Sequence, residues 1–330
     1  MASPFVSILV PVYNVEPYIE RCARSLFEQT YNNLEYIFVD DCTPDKSMHI
    51  LEEVIRDYPH RSEQIRIIQH KYNKGLAATR NTLVENAKGD FVMHVDSDDW
   101  MELNAVELLV TKQIEIDADV ITGQATEHYD DKEREYLTGG WNLGKDDLLE
   151  KLLKRKVSTS VWRRIIRRSL YSNNNISCKE GINMLEDFQV FPILVYYSNN
   201  IAGIEDVVYH HNRLNMNSYT NKESDDVGLQ LQKITSYQIV SDFFKNKHSL
   251  YQRWCKESQI SETYNFAKEW LYKSKKQYYD IFICLILNEY REHWNAIKIN
   301  NHLKRMIISN YSLCKICFFL KRLYSSSSII

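Results

Sequence analysis

Apolar residues follow two alternating rhythms along the first third of the chain. The runs Val6–Val12, Leu34–Asp40, Ile65–Gln69, Phe91–Val95 and Ala118–Thr122 are short and continuous, the pattern of strands buried on both faces. Between them, residues 15–29, 47–57, 76–87 and 103–116 carry apolar positions at helical spacing. In the first of these, Ile19, Cys22, Ala23, Leu26 and Phe27 share one face. Ser47 is the expected cap of the second helix, and Gly89 the expected end of the third. Pro11 marks where the first strand should stop pairing. This βαβαβαβ order predicts an open, mostly parallel, Rossmann-like sheet with helices on both faces.

The pattern then loosens. Gly139, Gly140 and Gly144 mark loops, residues 146–155 read as a helix, and Ser172–Asn175 read as a loop. A helix should run from Glu186 to about Ser198, and a strand from Ile201 to His211. Beyond Lys222 glycine occurs once, at Gly228, and proline not at all. Helical spacing there predicts helices near 225–246, 256–274, 276–299 and 301–323. The change divides the chain into an α/β domain, residues 1–222, and an all-helical C-terminal domain, residues 223–330.

In open α/β sheets ligands bind at the carboxyl ends of the strands, near the point where strand order reverses. The polar clusters Tyr13-Asn14, Asp40-Asp41, Asn73-Lys74 and Asp96–Asp99 all fall at such ends. Asp96, Asp98 and Asp99 repel one another unless a cation or basic groups lie between them, and hard oxygen ligands suit Mg²⁺ or Mn²⁺. The same residues also make an Asx turn and a helix cap, so both readings stay open on this stretch alone. A dinucleotide-binding dehydrogenase needs glycines after the first strand, and Val12–Glu16 has none. The lack of a Walker A loop or any glycine-rich phosphate loop also argues against a P-loop or nucleotidyltransferase reading.

Six fragments in order carry a resemblance to a known family. They are Pro11-Val12-Tyr13-Asn14, Gln29-Thr30, Val39–Asp45, Asn73-Lys74-Gly75, Ala78-Thr79-Arg80-Asn81, and Gly89-Asp90 leading to Asp96–Asp99. Residues 6–122 thereby resemble the donor-binding half of glycosyltransferase family 2, inverting enzymes of the GT-A fold, with residues 123–222 as the acceptor half. The resemblance implies that Pro11 and Tyr13 line a nucleobase pocket and that Asp41 accepts from the base edge. It implies that Arg80 faces the nucleotide, and that Asp96 and Ser97 belong to the donor site. Asp96 would touch ribose or the metal, and Asp98 would bind the Mn²⁺ or Mg²⁺ that bridges the diphosphate. Cys42 stands where the family usually has glycine, and Leu103-Asn104 where it has Pro-Asp.

Val161–Leu170 resembles the family's Trp-x-Lys-Leu-Tyr-Arg segment, with Arg164 for the lysine and Ile166 for the tyrosine. Met184–Phe188 resembles its Glu-Asp motif, which matches Asp187, beside Glu186, to the general base. A hydroxyl acceptor is a poor nucleophile, so a carboxylate must take its proton during attack. By residue type alone the pair also reads as first-turn acids complementing a helix dipole. Arg213 resembles the family's loop arginine and is expected at the diphosphate. His210 and His211 offer a metal nitrogen or simply pack in the strand.

The resemblance implies transfer of a sugar from a nucleotide-diphosphate donor, UDP-sugar favoured, to a hydroxyl of a glycan or polyprenyl-linked glycan in polysaccharide assembly. A non-catalytic nucleotide-binding scaffold of the same fold is the alternative.

Composition narrows the setting. The chain is 44% hydrophobic and 26% charged, with seven scattered cysteines, which suits a globular protein of a reducing cytoplasm. No basic leader opens the sequence, and no apolar stretch is long enough to span a bilayer. Cys314 and Cys317 form a lone CxxC in an apolar segment, better read as buried hydrophobes than as a zinc site. Net charge is −3, yet six Lys/Arg and no acid fall after Asn295, which leaves −9 for the remainder. That basic, apolar end suits either an anionic membrane surface, as a peripheral contact at the inner face, or a helix packed on its own domain. Overall negative charge and the lack of a motif argue against a nucleic-acid partner.

Overall fold

A computed structural model of the chain describes residues 3–130, 133–136, 143–215, 218 and 226–272. The strands are β1 (Val6–Val12), β2 (Leu34–Asp40), β3 (Ile65–Gln69), β4 (Phe91–His94), β5 (Trp100–Met101), β6 (Val120–His128), β7 (Glu133–Tyr136), β8 (Arg164–Arg167) and β9 (Ile201–Asn212). The helices are α1 (Ile19–Phe27), α2 (Ser47–Asp57), α3 (Leu76–Asn86), α4 (Ala105–Ile116), α5 (Lys145–Leu153), α6 (Ser169–Asn174) and α7 (Glu186–Tyr197). Two more, α8 (Val227–Phe244) and α9 (Ser249–Tyr272), belong to a second compact unit that begins at Asp226.

One sheet runs in the order β3-β2-β1-β4-β8-β6-β9-β5, with β7 paired to β6. β1, β2, β3 and β4 are mutually parallel, as the alternation predicts. The fifth expected strand is present as β6, but it does not join β4. Antiparallel β8 lies between them, and β6 pairs β9 in parallel, so the sheet is mixed rather than mostly parallel. Every residue of β1 and β2 is buried, which is why those strands read as unbroken apolar runs. Chain order takes β2 and β3 to one side of β1 and β4 to the other. That reversal places the carboxyl ends of β1 and β4 at the switch point.

Several local expectations change. β1 leaves β4 after Leu9 but keeps pairing with β2 through Pro11 to Val12. Ser47 does not cap α2; its hydroxyl accepts from the Val15 amide, while Asp45 Oδ1 receives the Ser47 amide and hydroxyl. Gly89 is needed for close approach rather than as a helix end: a Cβ there would lie 2.7 Å from the Ser7 backbone nitrogen. Ser172–Asn174, expected in a loop, closes the short helix α6. The C-terminal helices are confirmed as α8 and α9, whereas those expected at 276–299 and 301–323 lie outside the described residues. No helix among the described residues is long and apolar enough to cross a membrane.

Candidate active site

Gly75 begins the construction. Its φ of +86° is open to glycine at little cost, and it delivers the chain from the 73–75 turn into α3. Asp41, at the end of β2, accepts from the Lys74 amide (2.8 Å), the Gly75 amide (2.8 Å) and His70 Nδ1 (2.7 Å). It is buried and already holds the turn, so three of its roughly four lone-pair directions are taken. A Cβ on Gly75 would meet the Asn183 side chain at 2.5 Å, on top of the backbone strain. Gly75→Ala is therefore expected to cost about 2 kcal/mol, read as a lowered melting temperature.

α3 carries Arg80 on its buried face. Arg80 is expected to face the nucleotide; instead its guanidinium is buried against carboxylates. Nε donates to Glu186 Oε1 (3.0 Å) and lies 3.6 Å from Asp187 Oδ1, while Nη2 donates to Asp96 Oδ1 (2.9 Å). Burial works against its charge, but Asp96, Asp187 and Glu186 outweigh burial and raise its pKa. Glu186 and Asp187 open α7 directly after Leu185, whose φ of +57° lies in the left-handed region and sets the pair's direction. Asp187 Oδ1 is buried without a hydrogen-bond partner. Burial, and then the charge of Glu186, push the Asp187 carboxyl well above the usual carboxylate range, with Arg80 opposing.

The acidic loop after β4 splits into different jobs. Asp99 is fully buried and turns inward, accepting from Tyr209 Oη (2.7 Å) and the Asn212 amide (2.7 Å). The same Tyr209 oxygen accepts from the Asp96 amide at 3.0 Å, so one phenol fixes the loop at two points. Tyr209→Phe strips both contacts and is expected to cost about 1–3 kcal/mol, measured by denaturant unfolding. Asp96 keeps 28% of its side chain exposed. Asp98 is partly buried and accepts from Asn215 Nδ2 at 2.8 Å. Burial, and then Asp96, raise the Asp98 carboxyl, with Asn215 opposing. Ser97 is buried between them.

At the rim, Pro11 is buried in β1 and Tyr13 is 47% exposed. Arg213 departs from expectation: its guanidinium binds Glu127 Oε1 (2.9 Å from Nε) rather than pointing at open space. His210 is packed, stacked on Trp100 and bonded to Glu102 (2.7 Å) and His128 (3.0 Å). His211 Nδ1 lies 3.5 Å from Glu127. Among the described residues no group of three or more His, Cys, Asp or Glu side chains converges as a metal cluster. Cys42, where glycine is usual, sits at φ +58°. That explains the glycine.

The sequence profile of Glycosyl transferase family 2 matches residues 7–174, just over half of the chain. The chain belongs to glycosyl transferase family 2. The uncharacterized glycosyltransferase EpsJ of Bacillus subtilis is 37% identical over 191 residues, 56% of this chain and 54% of that protein. The chain thus spans about half the length of this relative. S. aureus TarS 1–349, solved with UDP-GlcNAc, superposes with a TM-score of 0.57 at 18% identity, over 87% of this chain and 92% of that one. The mannosyltransferase PcManGT of Pyrobaculum calidifontis, solved with GDP-Man and Mn²⁺, has a TM-score of 0.51 at 14% identity, over 81% and 76%. At these identities the likeness is one of fold, the GT-A fold.

For this family-2 chain the structure joins Arg80, Asp96, Glu186 and Asp187 in one network and keeps Asp98 on the loop beside it. Pro11 and Tyr13 lie at the end of β1, Asp41 directly after β2 and Arg213 directly after β9. Tyr209, Asn183 and Asn215 hold the site without having been expected. No spacing in the chain points to them, because each acts on a residue more than 100 positions away: Tyr209 on Asp99, Asn183 on Ala77 and Asn215 on Asp98.

Proposed function

We propose that the chain, through residues 1–222, is an inverting glycosyltransferase. It moves a sugar from a nucleotide-diphosphate donor, UDP-sugar favoured, to a hydroxyl of a glycan acceptor in polysaccharide biosynthesis. The observation that carries the reading is the contact of Asp187 and Glu186, at the head of α7, with the Asp96 loop through Arg80. A base on the acceptor side beside acids on the donor side is what such a transfer requires.

Asp187 is the general base. Its raised pKa poises it to take the acceptor hydroxyl proton as that oxygen attacks the anomeric carbon opposite the diphosphate. Pro11 and Tyr13 receive the base, with Asp41 holding the floor of that pocket and offering its remaining lone pair. Ser97 and Asp96 meet the donor beyond it. Arg213, bound to Glu127 through Nε, is the candidate contact for the diphosphate.

The acidic loop suits Mn²⁺ or Mg²⁺. Asp98 and Asp96 would supply hard oxygens whose mutual repulsion a cation relieves. When bound, such an ion neutralises charge developing on the departing diphosphate. The solved relatives with UDP-GlcNAc and with GDP-Man and Mn²⁺ support the donor class. A panel of nucleotide sugars, with and without Mn²⁺, tests the reading through thermal shift and donor hydrolysis. A panel that shifts nothing and releases no nucleoside diphosphate overturns it.

A further inference from the structure

Arg80 spans two segments that meet only in the folded chain. Nη2 of its planar guanidinium meets Asp96, at 2.9 Å; Nε meets Glu186, at 3.0 Å, and lies 3.6 Å from Asp187. The staples around it are specific. Asn81, the next residue, donates to the Cys178 carbonyl (2.9 Å) and accepts from the Cys178 amide (2.8 Å). Asn183 Oδ1 accepts from the Ala77 amide at 3.0 Å. α3 is therefore bound to the 178–187 segment on both sides of the arginine, and the arginine is what carries that link on to the acidic loop.

Arg80 also lines a cavity of about 340 Å³ between α3, α6 and the start of the 176–178 segment. Its deep residues include His94 and Tyr171, both buried, and its outer residues include Glu85, Ser172 and Ser177, all exposed. Nη1 of Arg80 has no hydrogen-bond partner. Arg80 thus forms part of the wall of this cavity.

We propose that Arg80 is the positioning residue of this site: a planar bridge that holds the Glu186–Asp187 pair in register with the donor-side Asp96 loop. The proposal rests on the reading of Asp187 as base. A planar guanidinium presents donors in several directions at once, whereas a lysine ammonium is a compact point charge on a flexible stem. Charge alone is then insufficient; the bridge needs two donor nitrogens, Nε and Nη2, held rigidly in one plane.

The test separates bridging from charge and from nucleotide contact. Arg80→Lys is expected to lower transfer kcat about 100-fold through lost alignment, while nucleotide affinity, by titration with UDP, stays within about threefold. A fall in affinity with kcat preserved would make Arg80 a nucleotide contact and overturn the proposal. Arg80→Ala leaves a vacancy that the cavity reaches, so millimolar guanidinium is expected to restore kcat and methylammonium is not. Equal rescue by both ions, or no rescue in a variant that keeps its far-ultraviolet spectrum, overturns it.

A second readout needs no turnover. Amide hydrogen exchange in the first turn of α7 is expected to be about tenfold faster in Arg80→Lys, and unchanged exchange there also overturns the bridge. Asp187→Asn in the same transfer assay keeps the two ideas apart. Full transfer by that variant removes the base assignment and leaves the Arg80 bridge to stand or fall on exchange.

Discussion

Asp187→Asn should bind donor as the parent chain does and transfer sugar about 1,000-fold more slowly, the scale of a lost general base. Asparagine keeps the shape of the head of α7 but accepts no proton. In the parent, burial and Glu186 raise the Asp187 carboxyl, so the active, ionised base is lost as pH falls through a value well above the usual carboxylate range. The acid limb of kcat should lie correspondingly high, and the asparagine variant's residual rate should lack it. Stability moves the other way. A carboxyl whose folded pKa exceeds its unfolded value binds more protons when native, so stability falls as pH rises from the unfolded pKa toward the folded one. Asp187→Asn should therefore melt higher than the parent at neutral pH, with the gap closing below pH ~4, where both states hold the proton. Undiminished transfer by this variant would sink the base assignment. A parent whose kcat is flat down to pH ~4 would sink the raised pKa.

Asp98→Ala is expected to lose Mn²⁺-dependent donor hydrolysis and transfer by about 1,000-fold, the scale of removing the main stabilisation of leaving-group charge. Asp98 accepts from Asn215 and interacts with Arg21 and His211, and its carboxyl is raised by burial, so the variant's unfolding profile is measured beside its activity to separate folding from catalysis. Two arms make the result specific. Chelation of the parent with EDTA should reproduce the variant's rate, and added Mn²⁺ should rescue the chelated parent but not the variant. The Mn²⁺-dependent part of the UDP thermal shift should vanish with the side chain. A variant that still responds to Mn²⁺ with parental activity excludes Asp98 as the ion's ligand. Asp99 makes the contrasting control: both its oxygens serve Tyr209 and Asn212, so its loss should show first in stability.

The carboxylates thus look alike in sequence and differ in the fold. Asp96, Asp98 and Asp99 sit within four positions, and nothing in their spacing tells which faces the cleft and which faces the core. That division comes from β9, which brings Tyr209 and Asn212 beneath Asp99 from 110 and 113 positions away. Arg80 is the sharper case. The motif around it was legible, and the resemblance sets it toward the nucleotide; what only the fold shows is that its guanidinium is buried among carboxylates. Its Nη2 is taken by Asp96 and its Nε by Glu186, the latter 106 positions distant. Arg213 likewise follows its family's loop in sequence, yet its planar fork finds Glu127 on the neighbouring strand β6.

What the chain alone determined were features written by near neighbours. The continuous runs of β1, β2 and β4, the helical spacing of α1 and α4, the glycine that Gly75 must be, and the acids at strand ends all depend on a few adjacent residues. Local periodicity encodes burial, and burial encodes the element. Tertiary structure alone decided the insertion of β8 between β4 and β6, the inward turn of Asp99, and the joining of α3 to α7 through Arg80. Those are choices of partner rather than of conformation. A buried charge takes whichever opposite charge the completed sheet delivers to it, because leaving it unpaired there costs more than any local preference.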